Sequence, residues 1–193
     1  KNYKQFIETL KLGFVGSVSM LTFVIDNLLI AYKYNLAHLP SYSIAFACIS
    51  IAIGIIGTPV QRIFSVKEAS SRDFGFIAKA VLMVIILSCI ATFLVAIIVF
   101  FFKNPILEEA IGICFALFPY AIGRIVSMLL VVRIGQFGRM GTQWRSNLIY
   151  LMIVSGGILM MPKNLGLMGV ALIVSTASLV SASYILKILH KLP

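Results

Sequence analysis

Charge is scarce in this sequence. Only 11% of its 193 residues are Asp, Glu, Lys or Arg, against roughly 25% in a soluble domain. Acids are scarcer still, six against sixteen Lys and Arg, which leaves a net charge of +10. The three cysteines, Cys48, Cys89 and Cys114, lie in separate apolar runs with no CxxC or Cys/His spacing. That pattern argues against both a disulfide framework and a zinc site, and leaves them as small lipid- or helix-facing side chains. The two histidines, His38 and His190, sit at loop or terminal positions. Without a nucleophile–base pair or a metal set at helical spacing, neither an enzyme nor a cofactor is expected. No signal-peptide pattern opens the chain, which starts at Lys1 and reads as an excerpt from a longer protein.

What the sequence has instead is apolar length. Hydrophobic residues make up 61% of it, and the mean hydropathy is +1.06. A bilayer core about 30 Å thick needs roughly 20 mostly apolar residues as a helix. Six runs approach or meet that length, at about 12–32, 41–64, 76–102, 106–132, 146–161 and 165–189. The expected fold is therefore all-α, a single six-span membrane bundle over residues 1–193. Gly13, Gly16, Ser17 and Ser19 would let the first helix approach a neighbour closely. Pro40 is placed to open the second helix, and Thr58-Pro59 predicts a kink or break near 55–59. The third run is the most uniformly apolar and reads as lipid-facing scaffold. Lys103-Asn104-Pro105 predicts a tight turn, with Glu108 and Glu109 suited to the first turn of the next helix.

The basic residues sort by topology. With both termini inside, twelve Lys and Arg fall on the inner side and only Lys33, Lys103 and Lys163 on the outer. This positive-inside bias predicts cytoplasmic termini. It also accounts for the net charge without nucleic acid, because basic and aromatic residues interleave on no soluble domain.

Arg124 stands apart from that sorting. Counting back from Val132 at 1.5 Å per residue, it lies about 12 Å inside the fourth run, deeper than an arginine comfortably snorkels. Left unpaired in lipid it would cost about 2.5–3.5 kcal/mol, so it should face protein or a wet cavity. Its open readings are an anion contact or an ion pair that fixes helix packing. Asp26, about 9 Å inside the first run, is the second intramembrane charge. It could pair with Arg124, or be a helix-end acid reaching interfacial water. The Arg/Gly loop around Arg133, Arg139 and Arg145 is a solvated inner loop or a contact for anionic head groups. Ser175, Thr176, Ser178, Ser181 and Ser183 of the sixth run would line a polar cavity or join helices.

Several segments together resemble one family. Asp26-Asn27-Leu28-Leu29-Ile30, then Tyr42-Ser43-Ile44-Ala45, then Thr58-Pro59 resemble one half of a polysaccharide flippase. Asn164-Leu165-Gly166-Leu167-Met168-Gly169-Val170-Ala171 is similar to the opening of the sixth helix of each half. The family is the multidrug/oligosaccharidyl-lipid/polysaccharide exporter superfamily, in particular its O-antigen-type flippases. The resemblance implies two six-helix bundles around a cavity, with this chain as one bundle, the carboxy-terminal one favoured, and the second half in the same native chain. It implies a function in the bacterial inner membrane, flipping an isoprenoid-linked oligosaccharide for lipopolysaccharide or other polysaccharide biosynthesis. Arg124 and Asp26 would then be substrate-contacting residues, Pro59 and Pro119 hinges for rocking, and H+ or Na+ a coupling ion at Asp26. The readings left beside it are a cation-coupled multidrug exporter of the same superfamily and a non-transporting membrane scaffold.

Overall fold

The computed structural model describes residues 18, 21–22, 24–34, 36–66, 74–136 and 141–190. The small-residue cluster from Gly13 to Ser19 lies outside the described residues apart from Val18, as do the connector 67–73 and loop residues 137–140. The described chain is helical, with no strand among the described residues. Helix α1 contains residues 24–34, with further helical residues at 18, 21 and 22. It is followed by α2 (Leu39–Val66), α3 (Phe74–Phe102), α4 (Pro105–Ala116), α5 (Phe118–Gln136), α6 (Gly141–Met160) and α7 (Gly166–Leu189). Short 3-10 turns, Leu36–His38 and Lys163–Leu165, lead into α2 and α7.

This is a membrane protein by the length and apolarity of its helices. Leu36–Ile63, Ala78–Ile98 and Lys163–Leu189 can each cross a bilayer alone, and α4 with α5 makes a fourth crossing as a bent pair. The six expected spans thus become three or four among the described residues. The α6 helix falls short because Gln143, Arg145, Ser146 and Asn147 occupy its first two turns. Its apolar part, from Leu148, covers about 20 Å at 1.5 Å per residue. Much of the first run lies outside the described residues.

Local chemistry explains the helix ends. Asn104 caps α4, its side chain accepting from the Ile106 N–H at 2.9 Å, with Pro105 at the first helical position and Glu108 in the first turn. Pro40 falls in the first turn of α2, as expected. Of the kink or break expected at 55–59, the break is absent: α2 continues as one helix through Pro59. The fourth run, by contrast, is not one helix. It breaks at Leu117 and bends by 50°. Pro119 has no N–H for the Phe115 carbonyl, which is the local reason.

Helix α7 is the centre of the bundle. It packs most extensively on α5 and α6, while α2 packs on α3, α4 and α5. In the membrane-length window of α7, 56% of residues are buried, against 22% for α3. Side chains such as Leu82, Ile86, Ile90, Phe93 and Ile97 present α3 outward, the lipid-facing role its composition predicts.

Burial of apolar surface is a weak force between helices in lipid, so close contact and hydrogen bonds must hold them. Ser175 Oγ donates to the Ala116 carbonyl at 2.6 Å and Ser178 Oγ to the Tyr120 carbonyl at 3.1 Å, one on each side of the break. Gly123 makes that approach possible. A Cβ there would lie 2.5 Å from Ser178 Oγ and 2.7 Å from the Ser178 carbonyl carbon. At the opposite end, Lys33 Nζ donates to the Ile158 and Leu159 carbonyls in the last turn of α6 and to that of Met161 just beyond it. An ammonium at a helix C-terminus also suits the macrodipole.

Gly123→Ala should therefore destabilise the bundle by about 1–3 kcal/mol, since backbone and not a flexible tip blocks the added methyl. Gly156→Ala, which meets nothing within 4 Å, should leave it unchanged. Thermal melting of the purified variants in detergent reads the difference.

Candidate functional site

Polar groups inside the bundle form two linked sets. The first surrounds Asp26, which is fully buried. Its Oδ2 accepts from the Tyr42 hydroxyl at 2.7 Å, and its Oδ1 from the Asn27 backbone N–H at 2.9 Å. The expected helix-end acid reaching interfacial water is therefore corrected: the carboxyl group points into protein. Hydrogen-bonded burial is the arrangement that makes a polar group tolerable there.

The second set surrounds Arg124 on α5. A cavity of about 230 Å³ opens between α2, α5, α6 and α7, lined by Arg124 and Ser127 of α5 and by Gln61 of α2. Gln143, Ser146 and Asn147 of α6 and Ser181 of α7 add further polar groups, and Met128, Val131 and Ile185 supply an apolar part of the lining. Arg124 is half-buried, so it faces protein and a cavity, as its depth predicts. Ser146 and Ser181 are themselves joined, Oγ to Oγ at 2.7 Å, which fixes the α6–α7 wall.

Aromatic rings connect the two sets. Tyr42 stacks on Phe46 with centroids 6.0 Å apart, and Phe46 lies 5.3 Å from Tyr120. Tyr120 sits one turn before Arg124, and Tyr150 one turn beyond Ser146 and Asn147. Both tyrosines lie within electrostatic reach of Asp26 and of Arg124. Unlike Tyr42, Tyr150 places a buried hydroxyl with no hydrogen-bond partner among the described residues.

The two prolines occupy different settings. Pro119 sits at the bend itself. Pro59 borders an apolar groove of about 500 Å³ along α2, with Gly54, Thr58 and Arg62. The α7 hydroxyls divide between the two roles open in the sequence. Ser175 and Ser178 join helices, Ser181 does so and also lines the cavity, and Thr176 bonds its own Leu172 carbonyl. The loop arginine Arg139 lies outside the described residues.

Sequence reasoning missed Tyr42 as the Asp26 partner, and missed Gln61, Gln143 and Asn147 altogether. One signal was present. Gln143, Ser146 and Asn147 recur at i, i+3 and i+4, one face of a helix.

Among the described residues, no group of three or more His, Cys, Asp or Glu could hold a metal ion. No family model, curated protein or solved structure matches the chain.

The Asp26 contact yields a paired test. Tyr42→Phe removes a donor from a buried carboxyl group and should cost about 1–3 kcal/mol. Tyr150→Phe removes a hydroxyl that has no partner among the described residues, and should be neutral or mildly stabilising. Equal losses in chemical denaturation would contradict this account of the polar core.

Proposed function

We propose that the protein is a membrane transporter of the flippase type, moving a lipid-linked oligosaccharide across the bacterial inner membrane with both termini cytoplasmic. The observation that carries this reading is Arg124, a guanidinium lining a cavity inside a largely apolar bundle. Pyrophosphate and sugars cannot cross hydrocarbon unaided, because an unpaired anion is too costly to bury. Guanidinium is suited to the task, since its planar donors hold phosphate oxygens by charge-assisted hydrogen bonds. The bent α4–α5 pair supports the same reading, because broken helices frequently line transporter sites at mid-membrane. On this reading a second six-helix half supplies the other wall, and the two rock about Pro59 and Pro119. The protein acts on its cargo without chemistry, and is not an enzyme.

A second reading is favoured by one observation, the complete burial of Asp26. An intramembrane acid of that kind suits a cation-coupled exporter, with H+ or Na+ bound at the carboxyl group.

Arg124→Ala should abolish glycan export in cells at normal protein levels, while Arg124→Lys should retain part of it, since a point charge keeps attraction but loses the bidentate fork. Export undiminished in the alanine variant would remove Arg124 from the mechanism. Drug efflux that needs Asp26, without any glycan export, would favour the second reading.

A further inference from the structure

Two of the three cysteines, far apart in sequence, meet in the fold. Cys114 of α4 is fully buried, and its Sγ lies 3.9 Å from the Ala45 carbonyl of α2. A helix carbonyl points toward the C-terminal end of its helix, while side chains tilt toward the N-terminal end. The Ala45 carbonyl and the Cys48 side chain therefore share one patch of α2, and Cys114 sits on it. The two thiols are in side-chain contact there. Ala45 of α2 and Ala110 of α4, both fully buried, let the helix backbones approach closely. Such an approach is what a disulfide needs, with Cα atoms no more than about 7 Å apart.

The third side chain at this contact is Thr92 of α3. Its hydroxyl already donates to the Ser88 carbonyl at 2.8 Å, so only its lone pairs remain to meet the Cys114 thiol. The Cys114 S–H thus has two acceptors beside it, the Ala45 carbonyl and Thr92 Oγ1, while its sulfur faces Cys48. Cys48 is half-buried and gives the pair its access from outside. That outside is hydrocarbon. Each cysteine stands nine residues past the first residue of its helix, Leu39 or Pro105, about 13.5 Å into a core about 30 Å thick. A charged or strongly hydrated oxidant does not reach that depth, whereas an apolar one does. Two thiols and a disulfide are uncharged alike, so their exchange leaves no ion in the bilayer.

We propose that Cys48 and Cys114 are a reversible dithiol–disulfide site, oxidised by a quinone dissolved in the membrane. One S–S bond forms as two S–H bonds break, and the two electrons and two protons pass to the quinone, which leaves as the quinol. The bond ties the α4 arm to α2 three residues before the break at Leu117. The site goes beyond the transport reading and does not depend on it. Cys89, exposed on α3, has no part in it.

The native protein in phosphatidylcholine nanodiscs is incubated with a short-chain ubiquinone, denatured, and treated with a maleimide before peptide mass spectrometry. Peptides carrying Cys48 and Cys114 should appear joined, with the loss of both thiol hydrogens, while Cys89 carries the maleimide. Dithiothreitol should reverse the link. Cys48→Ser and Cys114→Ser should each abolish it, and Cys89→Ser should leave it unchanged. Melting curves check that every variant is folded. The linked native chain should melt no lower than the reduced one, since a bridge between well-placed thiols restricts the unfolded ensemble.

Absence of the joined peptide after quinone treatment overturns the proposal. So does linking of Cys89 to either partner at a comparable level, or a linked chain that melts below the reduced one. The experiment reads no transport. Its failure would leave the flippase reading standing, and a failure of glycan export would leave this site standing.

Discussion

The structure depends on two hydrogen bonds from α7 to a broken helix. Ser175 and Ser178 hold the Ala116 and Tyr120 carbonyls on either side of the bend at Leu117. Inside hydrocarbon, helices are held together by close packing and interhelical hydrogen bonds, and these two bonds fix α7 against both arms of the bend. Here the donors come from the most buried helix. The bend follows from Pro119, but its place in the bundle follows from the serines. Because Gly123 and Arg124 begin the next turn of α5, the same contact sets where the guanidinium points. Packing, bend and cavity are consequences of one interface.

The interior is divided by chemistry along that interface. Asp26 and Tyr42 satisfy one another toward the end of the bundle where Lys33 caps α6. Arg124 and the amides gather toward the end that carries Arg62, Arg145 and Lys187. Tyr120 and Phe46 fill the space between, joining the sets through ring contacts. Outside this polar core, α3 turns an almost uniformly apolar surface outward. Such a separation keeps each charge where protein compensates it, which is the condition for charge in a membrane helix.

Much of the helical framework was legible in the sequence, because caps and prolines act locally. Asn104-Pro105 marks the start of α4, Pro40 that of α2, and the composition of α3 announces its exposure. Prolines proved less decisive as breakers: Pro119 coincides with a break and Pro59 does not, though both lie in apolar runs. Both prolines remove the same i to i−4 hydrogen bond, so the local pattern does not distinguish them. In α6 apolar length was counted without its polar first turns, where Gln143, Ser146 and Asn147 belong to the cavity wall. Arg124 was legible from its depth. The Tyr42 partner of Asp26 was not, since that contact spans a turn between two helices, and neither were the amides, which at helix ends resemble solvated loop residues.

One end of the bundle opens a cavity in which Arg124, amides and hydroxyls lie beside Met128, Val131 and Ile185, and against which α5, α6 and α7 are fixed. In a chain with Cys48, Cys89 and Cys114 replaced, Asn147→Cys lines that cavity, while Met152→Cys lies on the exposed face of the same helix. A charged, membrane-impermeant thiol reagent should modify Asn147→Cys in membranes opened on the basic-loop side, and leave Met152→Cys untouched until an apolar maleimide is used. Equal reactivity at the two positions, or reaction at Met152→Cys alone, would contradict the account.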